Sequence, residues 1–185
     1  MKCIIEHLEP EMHEWCIIEY TRVSMIVGKE NFILTNVPEK DVKTVTDIAN
    51  VYTESIEKLD FKNSNLCVLD PNAEKLLSPN DDFDYYVFGG ILGDDPPSPR
   101  TKDELKVKGE RRHLGRDQFP TDNAVLTTKK IHDGTQYDKI PFQLHFEVEI
   151  QENESVILPF KYVLEDGKPF ISDKIIEIVK RDEGF

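Results

Sequence analysis

The apolar run Tyr85-Tyr86-Val87-Phe88 breaks directly into Gly89-Gly90-Ile91-Leu92-Gly93 and then Asp94-Asp95-Pro96-Pro97. Four apolar residues bounded in this way read as a buried strand with glycines at its carboxyl end. Three glycines within five residues give the backbone conformations closed to other residues and let it approach a ligand closely. This strand is one of a series, since residues 2–6, 32–34, Leu66–Leu69 and 84–88 are all short apolar runs, the third ended by Asp70-Pro71. Between the first two, Met12, Trp15, Cys16, Tyr20, Val23 and Val27 recur at helical intervals, with Pro10 opening the segment and Gly28 closing it. Residues 38–59 are expected to be mainly helical. Strands alternating with helices predict the α/β class, a parallel sheet covered on both faces. Ligands of such sheets bind at the carboxyl ends of the strands, where the glycines are.

The second half reads differently. A short helix is predicted over residues 101–107 and a strand end at His113-Leu114. A longer helix is predicted over residues 121–131, started by Pro120 or Thr121. Residues 142–150 alternate, with Phe142, Leu144, Phe146, Val148 and Ile150 assigned to one face of a half-exposed strand. Residues 156–163 and 168–171 flank Glu165-Asp166-Gly167 as a hairpin, and Ser172 caps a last helix over 173–180 carrying Ile175, Ile176 and Val179. Neither half looks able to fold alone, so residues 1–185 are expected to form one domain.

Composition excludes several functions. No apolar run approaches the roughly 20 residues that cross a bilayer, and the N-terminus lacks a secretory signal, so no membrane partner is expected. Cys3, Cys16 and Cys67 are odd in number and set in apolar stretches, which predicts reduced, buried thiols in a cytoplasmic protein. No Cys-x-x-Cys or paired-histidine spacing is present, so no metal is expected. The first strand ends without a glycine motif, and there is no P-loop lysine pattern, which disfavours dinucleotide binding and nucleotide hydrolysis. The net charge of −13 favours a cationic partner over nonspecific nucleic-acid binding. Residues 100–116 run against that trend, with seven Lys/Arg and three Asp/Glu, a local +4 that leaves −17 elsewhere. They form either a solvated face or a surface that touches RNA.

A second segment sharpens the reading: Arg111-Arg112-His113-Leu114-Gly115-Arg116-Asp117-Gln118-Phe119-Pro120-Thr121-Asp122. Together with Cys3-Ile4-Ile5-Glu6-His7, the stretch from Glu14-Trp15 to Glu19-Tyr20, Val68-Leu69-Asp70-Pro71, Phe83-Asp84-Tyr85, the glycine run, Arg100-Thr101 and Pro159-Phe160-Lys161-Tyr162-Val163, it resembles the SPOUT-type protein arginine methyltransferases. The resemblance spans most of the chain. Phe119-Pro120 stands where the family pattern has methionine-threonine, and the chain is shorter around residues 40–65.

The resemblance implies a SPOUT-like sheet with a C-terminal trefoil knot, followed by a β-hairpin and helix. Knots are nearly absent from proteins, so that element rests on resemblance alone. It also implies S-adenosylmethionine bound among three loops, which here would be Leu69, Asp70 and Pro71; Gly89, Gly90, Ile91, Leu92 and Gly93; and Leu114, Gly115, Gln118, Thr121 and Asp122. Leu92 and Leu114 would wall the adenine or simply fill the core, and Gln118 would contact the cofactor or cap a turn. The acceptor would be an arginine of a basic small-subunit ribosomal protein, modified by a monomeric enzyme; an RNA methyltransferase docking through residues 100–116 is the alternative. A guanidinium has a pKa of about 12.5–13.8, so removing its proton before reaction costs about 7–9 kcal/mol, and a positioned carboxylate helps by taking the proton as the methyl transfers. Asp94, Glu6 and Glu19 are the catalytic candidates. Glu19 follows Trp15 by one helical turn, so the two side chains share a face and could frame a cation, although an ordinary core aromatic is the better explanation of Trp15.

Overall fold

The computed structural model describes residues 1–61, 63–93, 104–151 and 154–182. Six parallel strands form the main sheet: β1 (Cys3–His7), β2 (Phe32–Thr35), β3 (Asn50–Val51), β4 (Leu66–Leu69), β5 (Tyr85–Gly90) and β6 (Glu110–Arg112). Their order is β3-β2-β1-β5-β4-β6. The chain therefore winds outward from β1 to β3, and β5 then inserts between β1 and β4 with Glu6 opposite Gly89 and His7 opposite Gly90. This order brings the carboxyl ends of β5, β4 and β6 side by side, so the three loops that follow them meet at one edge of the sheet.

Period-two alternation decides which side chains go where. Cys3 and Ile5 face one layer, with Cys16, Tyr20, Val23, Phe32, Leu34 and Phe88. Ile4 faces the other, with Ile56, Leu66, Val68, Val87 and Leu105. Each such aliphatic side chain, once buried, contributes about 1.5–3 kcal/mol. Helix α1 (Glu14–Val27) covers the first layer and ends at Gly28, whose φ of 82° suits the helix stop predicted there. The expected helix over residues 38–59 is reduced to α2 (Val42–Val45), flanked by single 3-10 turns at Glu39–Asp41 and Ile56–Lys58. Pairing of Asn50 and Val51 with β2 draws the intervening chain into the sheet edge, and that pairing overrides local helical preference.

Beyond β6, helix α3 (Thr121–His132) packs along α1. Its buried side is unusually polar, with Thr121, Asp122, Asn123, Thr127 and Thr128 all buried beside Val125 and Ile131. Strands β7 (Phe142–Gln151), β8 (Glu154–Glu165) and β9 (Lys168–Pro169) form an antiparallel sheet, and α4 (Asp173–Asp182) follows. The β8–β9 turn carries Asp166 and Gly167 at φ 50° and 77°, as a tight two-residue hairpin requires. One expectation fails in β7. His145 sits at φ 61° at a register shift, so Leu144 turns to solvent while Phe146 and Val148 stay inward. A second cluster, formed by Trp15 and Ile18 of α1 with Val148, Leu158, Phe160, Tyr162, Ile175 and Val179, fixes this hairpin and α4 against α1. Of the helix expected over residues 101–107, residues 101–103 lie outside the described residues, and residues 105–107 are not helical. No described helix is long and apolar enough to cross a membrane. Cys3, Cys16 and Cys67 are buried free thiols, and burial pushes Cys16 and Cys67 up to about 12.

Candidate active site

Three contiguous clefts lie where the strand-end loops meet. The largest, about 140 Å³, is lined by Leu69, Asp70 and Pro71 after β4, by Phe88, Gly89, Ile91, Leu92 and Gly93 at the end of β5, and by Leu114, Gly115, Asp117, Gln118, Phe119, Thr121 and Ala124 after β6. Its walls are mostly apolar side chains and glycine backbone, a lining that suits a flat heterocycle whose edges bond to peptide groups.

Each loop is held by identifiable contacts. The Asp70 carboxylate accepts from Arg111 at 2.8 Å and from the Asn72 amide at 2.8 Å, which fixes the first loop. The Glu9 carboxylate accepts from the Leu92 amide at 2.9 Å and anchors the second. In the third, Gly115 adopts φ +95°, and a Cβ there would meet the Tyr137 hydroxyl at 2.4 Å. Lys161 of β8 ties that loop down. Its amide donates to the Gln118 carbonyl, and its ammonium donates to Asp117 at 2.8 Å and to the Tyr137 hydroxyl at 3.1 Å, over the Phe142 ring.

Eleven of the thirteen residues expected at the cofactor line this cavity; Gly90 and Asp122 do not. The structure gives Gly90 a different reason to exist. A Cβ on it would lie 2.2 Å from the Tyr20 hydroxyl and 2.9 Å from Ile5, so Gly90 lets α1 approach the sheet. Asp122 faces Arg22, whose Nε donates at 2.6 Å, and accepts from Asn123 through both its amide and its side chain. Phe88, Asp117, Phe119 and Ala124 also line the cavity. Asp117 and Phe119 were visible in sequence only as neighbours of Gly115 and Gln118 within the third loop.

A second cleft shares Ile91, Leu92, Gly93 and Phe119 with the first and adds Trp15, Glu19, Pro120 and Phe160. Here Trp15 Nε1 donates to Glu19 Oε1 at 2.8 Å, and the Thr121 amide, in the first turn of α3, donates to Oε2 at 3.1 Å. Burial, reinforced by the nearby Asp122 carboxylate, pushes the Glu19 carboxyl up to about 7. Burial raises Asp122 as well, but Arg22 and Asn123 hold its anion, so the pair's proton resides on Glu19. Glu6 is displaced from the role expected of it. Its carboxylate accepts from the Thr35 hydroxyl and from the Ile56 amide, bracing β2 against the loop at residue 56 on the far face of the sheet, and it lines neither cleft. Asp94 lies outside the described residues. No group of three or more His, Cys, Asp or Glu among the described residues could hold a metal.

A family model for protein arginine N-methyltransferase SFM1-like proteins matches residues 2–184. The protein arginine N-methyltransferase SFM1 of Saccharomyces cerevisiae is 39% identical over 205 residues, covering 98% of this chain and 95% of that one. This chain belongs to the SFM1-like protein arginine methyltransferase family. The crystal structure of yeast SFM1 complexed with SAM superimposes with a TM-score of 0.88 at 37% identity, covering 98% of this chain and 90% of that chain. The Trm10 structure from Thermococcus kodakaraensis shares the fold alone, with a TM-score of 0.59 at 19% identity over 75% of this chain and 96% of that one. The architecture is thus that of the SPOUT methyltransferases, with a C-terminal hairpin and helix added.

Proposed function

We propose that this protein transfers a methyl group from S-adenosylmethionine to an arginine side chain of a basic protein of the small ribosomal subunit. The observation that carries the reading is the shared wall between the two clefts, which sets a buried aromatic–carboxylate pair directly beside a cavity of nucleoside character. S-adenosylmethionine supplies a methyl group on a sulfonium that a guanidinium nitrogen can attack. Leu69, Phe88, Leu92, Leu114 and Phe119 offer apolar walls for its base, and the backbone at Gly89, Gly93 and Gly115 lies open to its polar edges. The Trp15 ring and the Glu19 carboxylate then hold the target guanidinium. Glu19 would take one N–H proton as the N–C bond forms and the sulfonium's bond to the methyl breaks, which leaves S-adenosylhomocysteine. A carboxyl titrating near 7 is deprotonated often enough to accept that proton and basic enough to keep it. Asp94, which directly follows the glycine loop, is assigned as a second carboxylate of the arginine site, and Glu6 has a structural role. The three cofactor loops would be threaded in a trefoil knot, as the family resemblance implies.

The charge of −13 supports a cationic protein as acceptor. The basic segment offers RNA less than its composition promised. Arg112 is bound to Asp81 and Glu110, Arg111 to Asp70, and Arg116 to the Pro71 carbonyl, so these three cations brace the fold. High net charge favours a monomer, and three reduced, buried thiols suit the cytoplasm. The test is to incubate the protein with ribosomal fractions and labelled S-adenosylmethionine. Label in a small-subunit protein is expected; label confined to RNA would replace this reading with the RNA methyltransferase one.

A further inference from the structure

A third cleft lies behind Glu19, on the side away from the cofactor cavity. It shares Trp15, Glu19 and Pro120 with the arginine cleft and is otherwise lined by Asp122, Asn123, Tyr162, Phe170, Ile171, Ser172 and Ile175. Tyr162 comes from β8 and is 1% exposed, yet its hydroxyl has no hydrogen-bond partner among the described residues. Buried hydroxyls are almost always paired, because an unpaired one has lost its hydration for nothing. This one lies close enough to Glu19 and Asp122 for both carboxylates to raise its pKa, after burial itself. Glu19 accepts from Trp15 and from both the amide and the side chain of Thr121, which leaves one of a carboxylate's roughly four lone-pair sites to offer. The cleft is about 10 Å³, room for one water molecule. Its rim residues Phe170, Ile171 and Ser172 are half-buried, so it reaches toward solvent.

We propose that Tyr162, Glu19 and Asp122 hold a single water molecule in this cleft, and that this water carries the reaction proton from Glu19 to solvent past Ser172. The inference rests on Glu19 as the proton acceptor. The Glu19 carboxylic acid gives its proton to the water, and the water passes a proton outward, so Glu19 returns to the carboxylate with no other bond changed. The arrangement separates entry from exit, since the proton arrives from the arginine cleft and leaves by the opposite side. Tyr162 is a positioning residue here: its hydroxyl holds the water, which donates to Glu19 and favours the carboxylate. The groups that face Glu19 are Asp122 and Thr121 of α3, Tyr162 of β8, Ser172 before α4, and Trp15, Cys16 and Tyr20 of its own helix, with Arg22 acting through Asp122.

The test compares the protein with its Tyr162→Phe variant, without added cofactor. Carbon-13 NMR of the labelled glutamate carboxyls follows Glu19, identified by its loss in Glu19→Gln. In Tyr162→Phe the Glu19 titration is expected to move upward by about half a pH unit or more, because the bond favouring the anion is gone. High-resolution crystals of the wild-type protein should show a water within hydrogen-bond distance of the Tyr162 hydroxyl, a readout that survives even if the variant fails to fold. An unchanged Glu19 titration in a folded variant, or a crystal with no water there, overturns the proposal. Full turnover by Glu19→Gln would instead overturn the reading of Glu19 as proton acceptor, a separate failure.

Discussion

Replacing Glu19 by glutamine separates its electrostatic cost from its catalytic role. A carboxyl that titrates at 4.5 when free and near 7 in the fold favours the folded state less once it must ionise there. Below about pH 4.5 both states hold the proton and nothing is lost. Between about 4.5 and 7 the unfolded chain ionises first and stability falls. Above 7 the full penalty applies, at most about 3 kcal/mol at 1.36 kcal/mol for each unit of pKa difference. Glutamine removes that charge. Its amide oxygen can accept from Trp15 or from the Thr121 amide but not from both, and the lost bond costs about 0.5–1.5 kcal/mol. The balance at pH 8 is a gain of about 1.5–2.5 kcal/mol, or about 3–10 °C in Tm for a chain of this size. At pH 5, where the wild-type carboxyl is already protonated, the gain should vanish or reverse. Turnover should meanwhile fall about a hundredfold or more, the usual worth of a positioned base, with S-adenosylhomocysteine affinity nearly unchanged. Calorimetric melts of both proteins from pH 5 to 8 are the assay. A Tm difference that does not change with pH would refute the buried-carboxylate argument, whatever happens to activity.

Gly90→Ala should lower stability by about 1–3 kcal/mol through collision with the Tyr20 hydroxyl and Ile5, and adding Tyr20→Phe should recover part of it. A melt showing no loss would return Gly90 to the ligand. Lys161→Met keeps the aliphatic stem among the aromatic rings but removes the bonds to Asp117 and Tyr137 that hold the third cofactor loop. Isothermal titration with S-adenosylhomocysteine should show affinity about tenfold weaker, and wild-type affinity would mean the loop holds itself.

The fold was legible where one local signal decides the outcome. Leu66–Leu69 is a strand because an apolar run ends in Asp70-Pro71, and Gly28 stops α1 because its left-handed φ leaves the helix. The three strand-end loops were legible for the same reason. Long-range partnerships were not. Glu6 stands at the sheet edge that faces the site, but its carboxylate is claimed by an amide fifty residues away. Gly90 resembles Gly89 in sequence, yet it pairs with His7 where Tyr20 crosses, and only the packing of α1 reveals that. The His145 bulge hides within an alternation that looks regular. Asp122 reads as a motif carboxylate, whereas Arg22, a hundred residues earlier, neutralises it.

Methyl transfer to a ribosomal arginine, with Glu19 as proton acceptor, leaves a mark that peptide masses reveal. Peptide mass spectrometry of small-subunit ribosomal proteins, after incubation with S-adenosylmethionine and either the wild-type protein or Glu19→Gln, tests it most directly. A methylated arginine in one small-subunit protein is expected with the wild type, and its near absence with the variant. Methylation appearing equally with both proteins, or appearing on no arginine at all, would contradict it.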